Sequence, residues 1–339
     1  MQGLCRDSTR EGFSSVKFHA PMGLRHLGVL TLSGLSGEDG DEKPRSFWRH
    51  VAQSQHVQTE RSRQKRHNRN YQMFMQSDLI EVKVIDCAGT IILKRPDHEN
   101  RLTQQIVVQL TEAFDDLYHE KAVRAIILTG EGNTFCAGFD QNELGQINTS
   151  AENLPKAEKR WGNAAAWYRD LLVRMLEITK PIIASVNGPA LSGGAGLVVA
   201  SDIVVASENA SFGLPDPLHG LVAGVVAPLL CYRVGAGHGS RLMLTSMTLE
   251  ADEAYRIGLF HELVEHGKGW ARAMELAQAC AAGAPEAIQL TKRLLSETIG
   301  EHLETQLATG AVMQATSCTT QAAQEGIAAF LERRPPEWS

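Results

Sequence analysis

The 339-residue sequence predicts an α/β fold followed by a helical C-terminal region. Short apolar runs at 125–129, 182–186 and 203–206 have the length and composition of buried strands. Residues 102–118 have helical spacing and separate the first of these runs from an earlier strand, which predicts two parallel strands joined by a crossover helix. After Gly220 the pattern becomes mostly helical.

The first regular segment of the chain is a pair of predicted strands. Residues 80–84 alternate between apolar and polar side chains, as a half-buried strand does, and Gly89 turns the chain. Residues 90–94 form the second strand, which stops before Pro96 because proline cannot donate to a strand ladder.

Helices are predicted around and after the central strands. A long helix at about 157–178 precedes the strand at 182–186, and an apolar segment at 197–200 follows the next glycine-rich turn. Residues 248–253 indicate the beginning of a helix, and Pro285 is predicted to lie inside another.

The charge of the chain divides it into unequal parts. Residues 1–76 hold 12 Lys and Arg against 7 Asp and Glu, whereas the remainder holds 21 against 32. Because residues 1–76 show no period of 2 or 3.6, we expect a disordered basic extension, a core at 77–270 and a C-terminal helical region at 271–339. Alternatives for the extension are a nucleic-acid or membrane-surface arm, which we do not favour, an organelle transit peptide, and a true start at Met73 or Met75.

Composition excludes several classes of protein. No apolar run approaches the ~18 residues of a membrane-spanning helix, and no secretory signal is apparent. The six cysteines are scattered without a C-x-x-C pair, which favours free thiols. We therefore expect a cytoplasmic protein without membrane insertion, or one of an organelle matrix if the extension is a transit peptide.

Three tempting motifs fail on spacing. His261 and His266 are five residues apart, and on a helix they would lie about 140° apart, so no metal site is predicted. A dinucleotide motif would need glycine where Val199 stands, and a serine nucleophile at Ser192 would need glycine in place of Ala190.

Two glycine-rich turns remain, at 130–140 and at 187–196, and each follows a predicted parallel strand. Such turns expose backbone N–H groups, and the second also begins a helix, where the helix dipole favours negative charge. Two converging N–H donors could stabilise an oxyanion, each by roughly 3 to 4 kcal/mol in a transition state.

Four segments in the same order resemble the crotonase, or enoyl-CoA hydratase/isomerase, superfamily. They are FCAGFD at 135–140, KPIIASVNGPALSGGAG at 180–196, SDIVVASENASFGLPD at 201–216 and EGIAAFLERRPPEW at 325–338. The resemblance covers about residues 78–338. It implies an α/β fold of repeated ββα units, arranged as a spiral with a C-terminal helical region, and a homotrimer or homohexamer. It also implies an acyl-CoA substrate, so that coenzyme A is part of the substrate and no separate cofactor is needed.

The resemblance assigns roles to individual residues. The catalytic group comprises the N–H donors of Phe139 and Gly193, which would hold the thioester oxygen, and the acid Asp216. Substrate binding falls to three loop segments and one helix: Asn100, Arg101 and Leu102; Cys136, Ala137, Gly138 and Asp140; Gly194 and Gly196; and Trp167 and Tyr168, which with Trp161 and Arg169 lie on the helix that walls the acyl pocket. Members of the family often have a lysine two residues after the aspartate of the first turn, where this chain has Asn142.

The chain departs from the family pattern in its acids. Hydratases of the family hold a water between two glutamates, but Gly196 stands at the first acid and Asp216 at the second. The family's isomerases keep only the second acid, whereas its hydrolases and dehalogenases use an aspartate where this chain has Gly224. We therefore expect double-bond isomerisation rather than hydration, with His219 as a further candidate proton carrier. The alternative is an inactive CoA-ester-binding or scaffolding member.

Overall fold

The computed structural model describes residues 79–147, 153–300 and 302–338. The expected basic extension at 1–76 lies outside the described residues. Within them, the strands are β1 (Ile80–Ile85), β2 (Ala88–Leu93), β3 (Ala125–Gly130), β4 (Ile182–Val186), β5 (Ala190–Leu191), β6 (Ile203–Ser207), β7 (Ser211–Gly213), β8 (Thr248–Glu250) and β9 (Glu262–Val264).

The helices are α1 (Gln104–His119), α2 (Gln141–Gly145), α3 (Leu154–Glu177), α4 (Gly193–Ala200), α5 (Val226–Thr245), α6 (Ala251–Arg256), α7 (Gly269–Ala282), α8 (Pro285–Leu294), α9 (Leu303–Ser317) and α10 (Gln321–Glu332). Short 3-10 turns cover Pro96–His98 and Asp216–His219. Among the described helices, none has both the length and the apolar character needed to cross a bilayer.

Two sheets organise the described residues. The larger has the order β1-β2-β3-β4-β6-β9; β1 and β2 form an antiparallel hairpin, and every later pair is parallel. The smaller sheet has the order β5-β7-β8. The predicted parallel pair with its crossover helix is therefore present, as β2, α1 and β3, and the fold is the expected mixed α/β arrangement with a helical C-terminal region.

Both faces of the central strands β3, β4 and β6 are buried, which explains why these strands are continuous apolar runs. On one face, Leu128 and Ala184 pack into the main core with residues of α1, α3 and α4. On the other face, Ile127 and Ile183 pack against Ala273 and its neighbours on α7. The expected boundary between 270 and 271 thus falls just after the beginning of α7, and that helix packs with the sheet.

The C-terminal half contains more strand than the sequence predicted. Residues Thr248–Glu250, expected to begin a helix, form β8, and α6 begins at Ala251. Residues Glu262–Val264, between the two histidines that were considered on a helix, form the edge strand β9. Pro285 is the first residue of α8 rather than an interior one, where its missing N–H costs nothing.

Candidate active site

The two glycine-rich turns lie side by side. Cys136 and Ala190 form a parallel bridge, in which the Cys136 N–H donates to Pro189 O at 3.1 Å and the Leu191 N–H donates to Cys136 O at 2.9 Å. The turns follow β3 and β4, which are neighbours in the sheet. The two sources of free N–H groups are therefore in direct contact.

The Phe139 amide is left free by the way its loop pairs. Leu102 forms a parallel bridge with Phe139, but it donates to Gly138 O at 2.7 Å and accepts from Asp140 N–H at 2.9 Å. In such a bridge the N–H of the intervening residue points away from the partner strand. No acceptor for the Phe139 N–H is found in the described part of the chain.

Gly138 is the residue that gives this loop its shape. Its φ is 94°, a value that residues with a side chain rarely adopt. A Cβ at this residue would also lie 2.7 Å from Ser192 Cβ. A glycine here therefore lets the Phe139 turn approach the beginning of α4.

Gly193 supplies the second candidate donor as the first residue of α4. The Gly196 N–H donates to Ser192 O at 3.1 Å, so the N–H groups before it in the helix have no acceptor among the described residues. Leu102 and the Phe139 ring pack over Gly193, where a Cβ would meet them at 3.0 to 3.1 Å. The dipole of α4 adds to the attraction for a negatively charged oxygen.

Asp216 reaches the same turn from the Asp216–His219 segment. Its side chain is buried, and Oδ1 accepts a hydrogen bond from Ser192 Oγ at 2.7 Å. Oδ2 is buried and has no hydrogen-bond partner among the described residues. Burial raises the pKa of Asp216, and the Ser192 hydrogen bond opposes that rise. Ser192 was not among the predicted site residues; only its place beside Gly193 hinted at it.

The space next to Gly196 is occupied by Tyr168. A Cβ at residue 196 would overlap Tyr168 Oη and would lie 3.1 Å from Cζ. Tyr168 is fully buried, its Oη donates to Gly193 O at 2.6 Å, and its ring meets the Phe139 ring edge-on at 4.9 Å. Burial raises the pKa of Tyr168 well above its usual value, so the hydroxyl is neutral at physiological pH.

Trp167 lines a cleft beside the two turns, whereas Tyr168 does not. A cleft of about 100 Å³ is lined by Leu102, Phe139, Leu144 and Trp167 among others, and Tyr168 is absent from its walls. Consecutive residues of a helix point about 100° apart, which turns Tyr168 into the core while Trp167 stays 37% exposed.

Two further candidates on α3, Trp161 and Arg169, do not themselves line this cleft. Trp161 is buried against Ile147 and Leu221 in a separate apolar cluster. Arg169 pairs with Asp170, its neighbour in sequence. Core packing therefore accounts for Trp161.

Asp140 fixes the loop that presents Phe139. Its Oδ2 accepts from both Nη atoms of Arg95 at 3.1 Å, and its Oδ1 accepts from the Asn142 N–H at 3.0 Å at the beginning of α2. Burial alone would raise the pKa of Asp140, but the hydrogen bonds from Arg95 and Asn142 outweigh it and lower that pKa. Sequence reasoning missed Arg95, which stands 45 residues from its partner.

Asn100 and Arg101 hold the same loop in different ways. Asn100 is fully buried; its Nδ2 donates to Glu131 O and Thr134 O, and its Oδ1 accepts from the Arg95 N–H. Its side chain therefore organises the loop instead of facing a ligand. Arg101 is partly exposed and donates to Ala137 O at 3.2 Å.

The remaining loop residues are packed through their backbones. Ala137 N–H donates to Glu99 O at 3.0 Å. Cys136 is fully buried, and burial raises the pKa of its thiol to about 12, so it is no nucleophile. A Cβ at Gly194 would overlap Cys136 O, which makes Gly194 a point of close approach between the two turns.

Residues 219 and 224, the two other positions considered for an acid–base group, both pack against neighbouring helices. A Cβ at Gly224 would overlap Gly310 O on α9, so no aspartate side chain fits there. The His219 ring meets the Phe330 ring edge-on at 5.1 Å, and burial followed by the charge of Arg101 lowers its pKa.

Comparisons with known proteins identify the family of the chain. The model of the enoyl-CoA hydratase/isomerase family matches residues 87–339. A putative enoyl-CoA hydratase of Thermus thermophilus is 36% identical over 250 residues, covering 74% of this chain and 96% of the relative. A short-chain-enoyl-CoA hydratase of Clostridium acetobutylicum is 31% identical over 252 residues, covering 74% of this chain and 93% of that protein.

Solved structures extend the likeness to three dimensions. The crystal structure of carnitinyl-CoA hydratase from Mycobacterium avium superposes with a TM-score of 0.67 at 30% identity, covering 78% of this chain and 99% of that one. Since the family model spans most of this chain and the fold agrees over the same region, the protein belongs to the enoyl-CoA hydratase/isomerase family.

Proposed function

We propose that this protein isomerises the double bond of an unsaturated acyl-CoA thioester. A base removes a proton from C2 of a 3-enoyl ester, the electron pair delocalises as a dienolate onto the thioester oxygen, and the proton returns at C4. The product is the 2-enoyl ester, with no atom gained or lost. One acid–base group and one oxyanion site suffice for this sequence.

The oxyanion site would consist of the Phe139 and Gly193 N–H groups. Both lack an acceptor among the described residues, and their turns are hydrogen-bonded to each other. Donors held in place by the backbone need no rearrangement when negative charge develops, and each contributes roughly 3 to 4 kcal/mol to the transition state.

Two features support isomerisation over hydration: among the described residues a single carboxylate, Asp216, lies beside the candidate oxyanion turn, and Tyr168 fills the space next to Gly196. Asp216 Oδ2 has no hydrogen-bond partner among the described residues, so its lone pairs are not engaged, whereas the space for a second acid at residue 196 holds a neutral hydroxyl. Two other carboxylates line the nearby cleft, but both are engaged: Asp140 by Arg95, and Glu143 by the Gln104 N–H.

The environment of Asp216 suits both halves of a proton shuttle. Burial raises the pKa of Asp216 above its usual value. A higher pKa makes the carboxylate a stronger base and increases the fraction of the carboxylic acid that stays protonated and can return a proton. The acyl chain would extend along Trp167 and Leu102 in the adjoining cleft. We also propose that the enzyme works as a homotrimer or homohexamer.

The test compares two substrates and one variant. Purified protein is assayed with a 3-enoyl-CoA for isomerisation and with crotonyl-CoA for hydration. We expect isomerisation to dominate, and Asp216→Asn to lower its kcat by about 10² to 10⁴ while CoA-ester binding persists. Asp170→Asn, an exposed aspartate paired with Arg169, is the matched control and should behave as the parent.

Two results would contradict the proposal. Rapid hydration of crotonyl-CoA would show that one carboxylate supports water addition. Absence of both reactions with retained ester binding would favour the alternative of an inactive CoA-ester-binding or scaffolding member.

A further inference from the structure

Ser192 has a backbone conformation that serine rarely adopts. Its φ is 48° and its ψ is −118°, outside the regions that are comfortable for residues with a side chain. Non-glycine residues in such conformations cost free energy and persist where the surrounding structure or the function requires them. A glycine would fit this backbone at lower cost, so the presence of serine calls for an explanation from its side chain.

The ordinary explanation, helix capping, does not apply. Ser192 is the N-cap residue of α4, and serine hydroxyls at that place usually accept from an N–H of the first turn. Here the side chain makes no capping hydrogen bond, and its Oγ instead donates to Asp216 Oδ1 at 2.7 Å. The Ser192 hydroxyl therefore donates to a residue 24 positions away in the sequence and makes no hydrogen bond within its own helix.

This contact decides which carboxylate oxygen of Asp216 remains available. A carboxylate can rotate about its last bond, and Ser192 is the one side chain among the described residues that hydrogen-bonds the Asp216 carboxylate, whose own backbone N–H also favours its charged form. We propose that Ser192 is a positioning residue that binds Asp216 Oδ1 and so presents Oδ2 to the substrate. The inference rests on the proposed role of Asp216 as the proton shuttle and extends it to the residue that orients the shuttle.

Other titratable groups lie on the elements around Asp216. The negative charge of Asp216 acts on Tyr168 of α3 and on Cys318 after α9. Burial, followed in Tyr168 and Cys318 by smaller charge effects, raises the pKa of Cys318 to about 11 and the pKa of Tyr168 well above its usual value. Helix α10 packs on the Asp216 turn and carries Glu325, which is paired with Arg334.

Basic groups on neighbouring elements include Arg101, which lies over the Phe330 ring and whose charge helps to lower the pKa of His219. Helix α5 packs on the same turn and carries Arg233, which donates to Val199 O and Ser201 O. His219, in the turn itself, faces Phe330 and has a lowered pKa. Since His219 can titrate in the acidic range, the experiment needs a variant that removes it.

The experiment uses Ser192→Gly and Ser192→Ala in the full chain. Both remove the hydroxyl, and the first also removes the backbone strain. We expect kcat for 3-enoyl-CoA to fall about tenfold in both, as for loss of one hydrogen bond to a charged group, with KM unchanged. The acidic limb of kcat/KM should move to higher pH, because the lost hydrogen bond favoured the charged carboxylate. The Tm of Ser192→Gly should equal or exceed that of the parent.

Two controls accompany these variants. Ser201→Ala removes a buried serine hydroxyl at the other end of α4, where Oγ donates to Leu197 O, and should leave the pH profile unchanged. His219→Gln should likewise retain the acidic limb of the parent. The positioning role of Ser192 would be overturned if the acidic limb of kcat/KM disappeared in His219→Gln. It would also be overturned if the Ser192 variants had the kcat and pH profile of the parent.

A direct titration separates this inference from the proposed reaction. Difference infrared spectroscopy of the carboxyl band, with Asp216→Asn as reference, reports the Asp216 pKa without turnover. If isomerase activity is absent but Ser192→Gly raises that pKa, the proposed reaction fails and the positioning role stands. If isomerisation depends on Asp216 but its pKa is the same with and without Ser192, only the positioning role fails.

Discussion

Residue 196 has no side chain, and the Tyr168 hydroxyl lies where one would begin. We predict that Gly196→Glu alone lowers the free energy of unfolding by up to about 3 kcal/mol, because the new Cβ overlaps Tyr168 Oη. With Tyr168→Phe added, the nearest remaining atoms are Val226 Cγ2 at 3.0 Å and the ring Cζ at 3.1 Å, so a Cβ fits once these two side chains shift by a few tenths of an ångström. The double variant should therefore recover stability and gain hydration of crotonyl-CoA, measured by urea unfolding and by the two assays.

The single variant Tyr168→Phe is the control for this comparison. It removes only the hydrogen bond to Gly193 O and should cost about 1 kcal/mol. A Gly196→Glu protein as stable as the parent would show that Tyr168 moves aside easily, and the argument from steric exclusion would be wrong.

Individual site residues were predictable to different degrees. Phe139, Gly193 and Asp216 lie in contiguous motifs, so a single sequence suffices to propose them. The role of Tyr168 depends on a contact with Gly193 across 25 residues, which no local pattern encodes. From its place on α3 we expected Tyr168 to line the acyl pocket. Its neighbour Trp167 lines the cleft, whereas Tyr168, one residue further along the helix, lies in the core.

At the scale of elements, the Arg95 and Asp140 pair ties the end of β2 to the loop before α2. Both side chains are largely buried, with 16% and 8% exposed. Because the folded pKa of Asp140 lies below its unfolded value, its ionisation stabilises the fold above the unfolded pKa, and that contribution is lost as pH falls through the folded pKa.

We predict that Arg95→Ala lowers the free energy of unfolding by about 3 kcal/mol at neutral pH, since it leaves a buried carboxylate unpaired. The difference from the parent should shrink below about pH 4, where Asp140 becomes protonated in the unfolded chain. Urea unfolding at the two pH values measures it, with Arg95→Lys as a charge-retaining control. An equal difference at both pH values would exclude Asp140 as the cause.

Elements were predicted well where their own residues determine them. Strands β3, β4 and β6 are continuous apolar runs because both sheet faces are covered, and α1 and α3 have clear helical spacing. Strands β5, β7, β8 and β9 have two or three residues each, and their conformation depends on distant partners. This is why 248–250 and 262–264 were expected in a mostly helical region and were found as strands.

At the scale of the whole molecule, the C-terminal half exposes large apolar side chains on three helices. Leu244 on α5 is 83% exposed, Leu290 on α8 is 63%, and Val312 and Met313 on α9 are 65% and 57%. Exposed apolar surface of this kind often marks contacts between subunits. It is consistent with our expectation of a homotrimer or homohexamer.

We predict that sedimentation equilibrium gives a mass of three or six chains for the parent. Replacing Val312 and Met313 by aspartate should lower that mass, because it would bury two unpaired charges in the interface. Val108→Asp on α1, which is 43% exposed, serves as control. A parent that is monomeric at micromolar concentration would contradict the expectation.

The occupied space behind residue 196 also bears on how such an enzyme can evolve. Gaining a second acid takes two substitutions, Gly196→Glu and Tyr168→Phe, and their order matters. Glutamate first produces a misfit with Tyr168, whereas phenylalanine first loses a single hydrogen bond. A chain whose tyrosine hydroxyl fills this space therefore gains a second acid at residue 196 only after that hydroxyl has been lost.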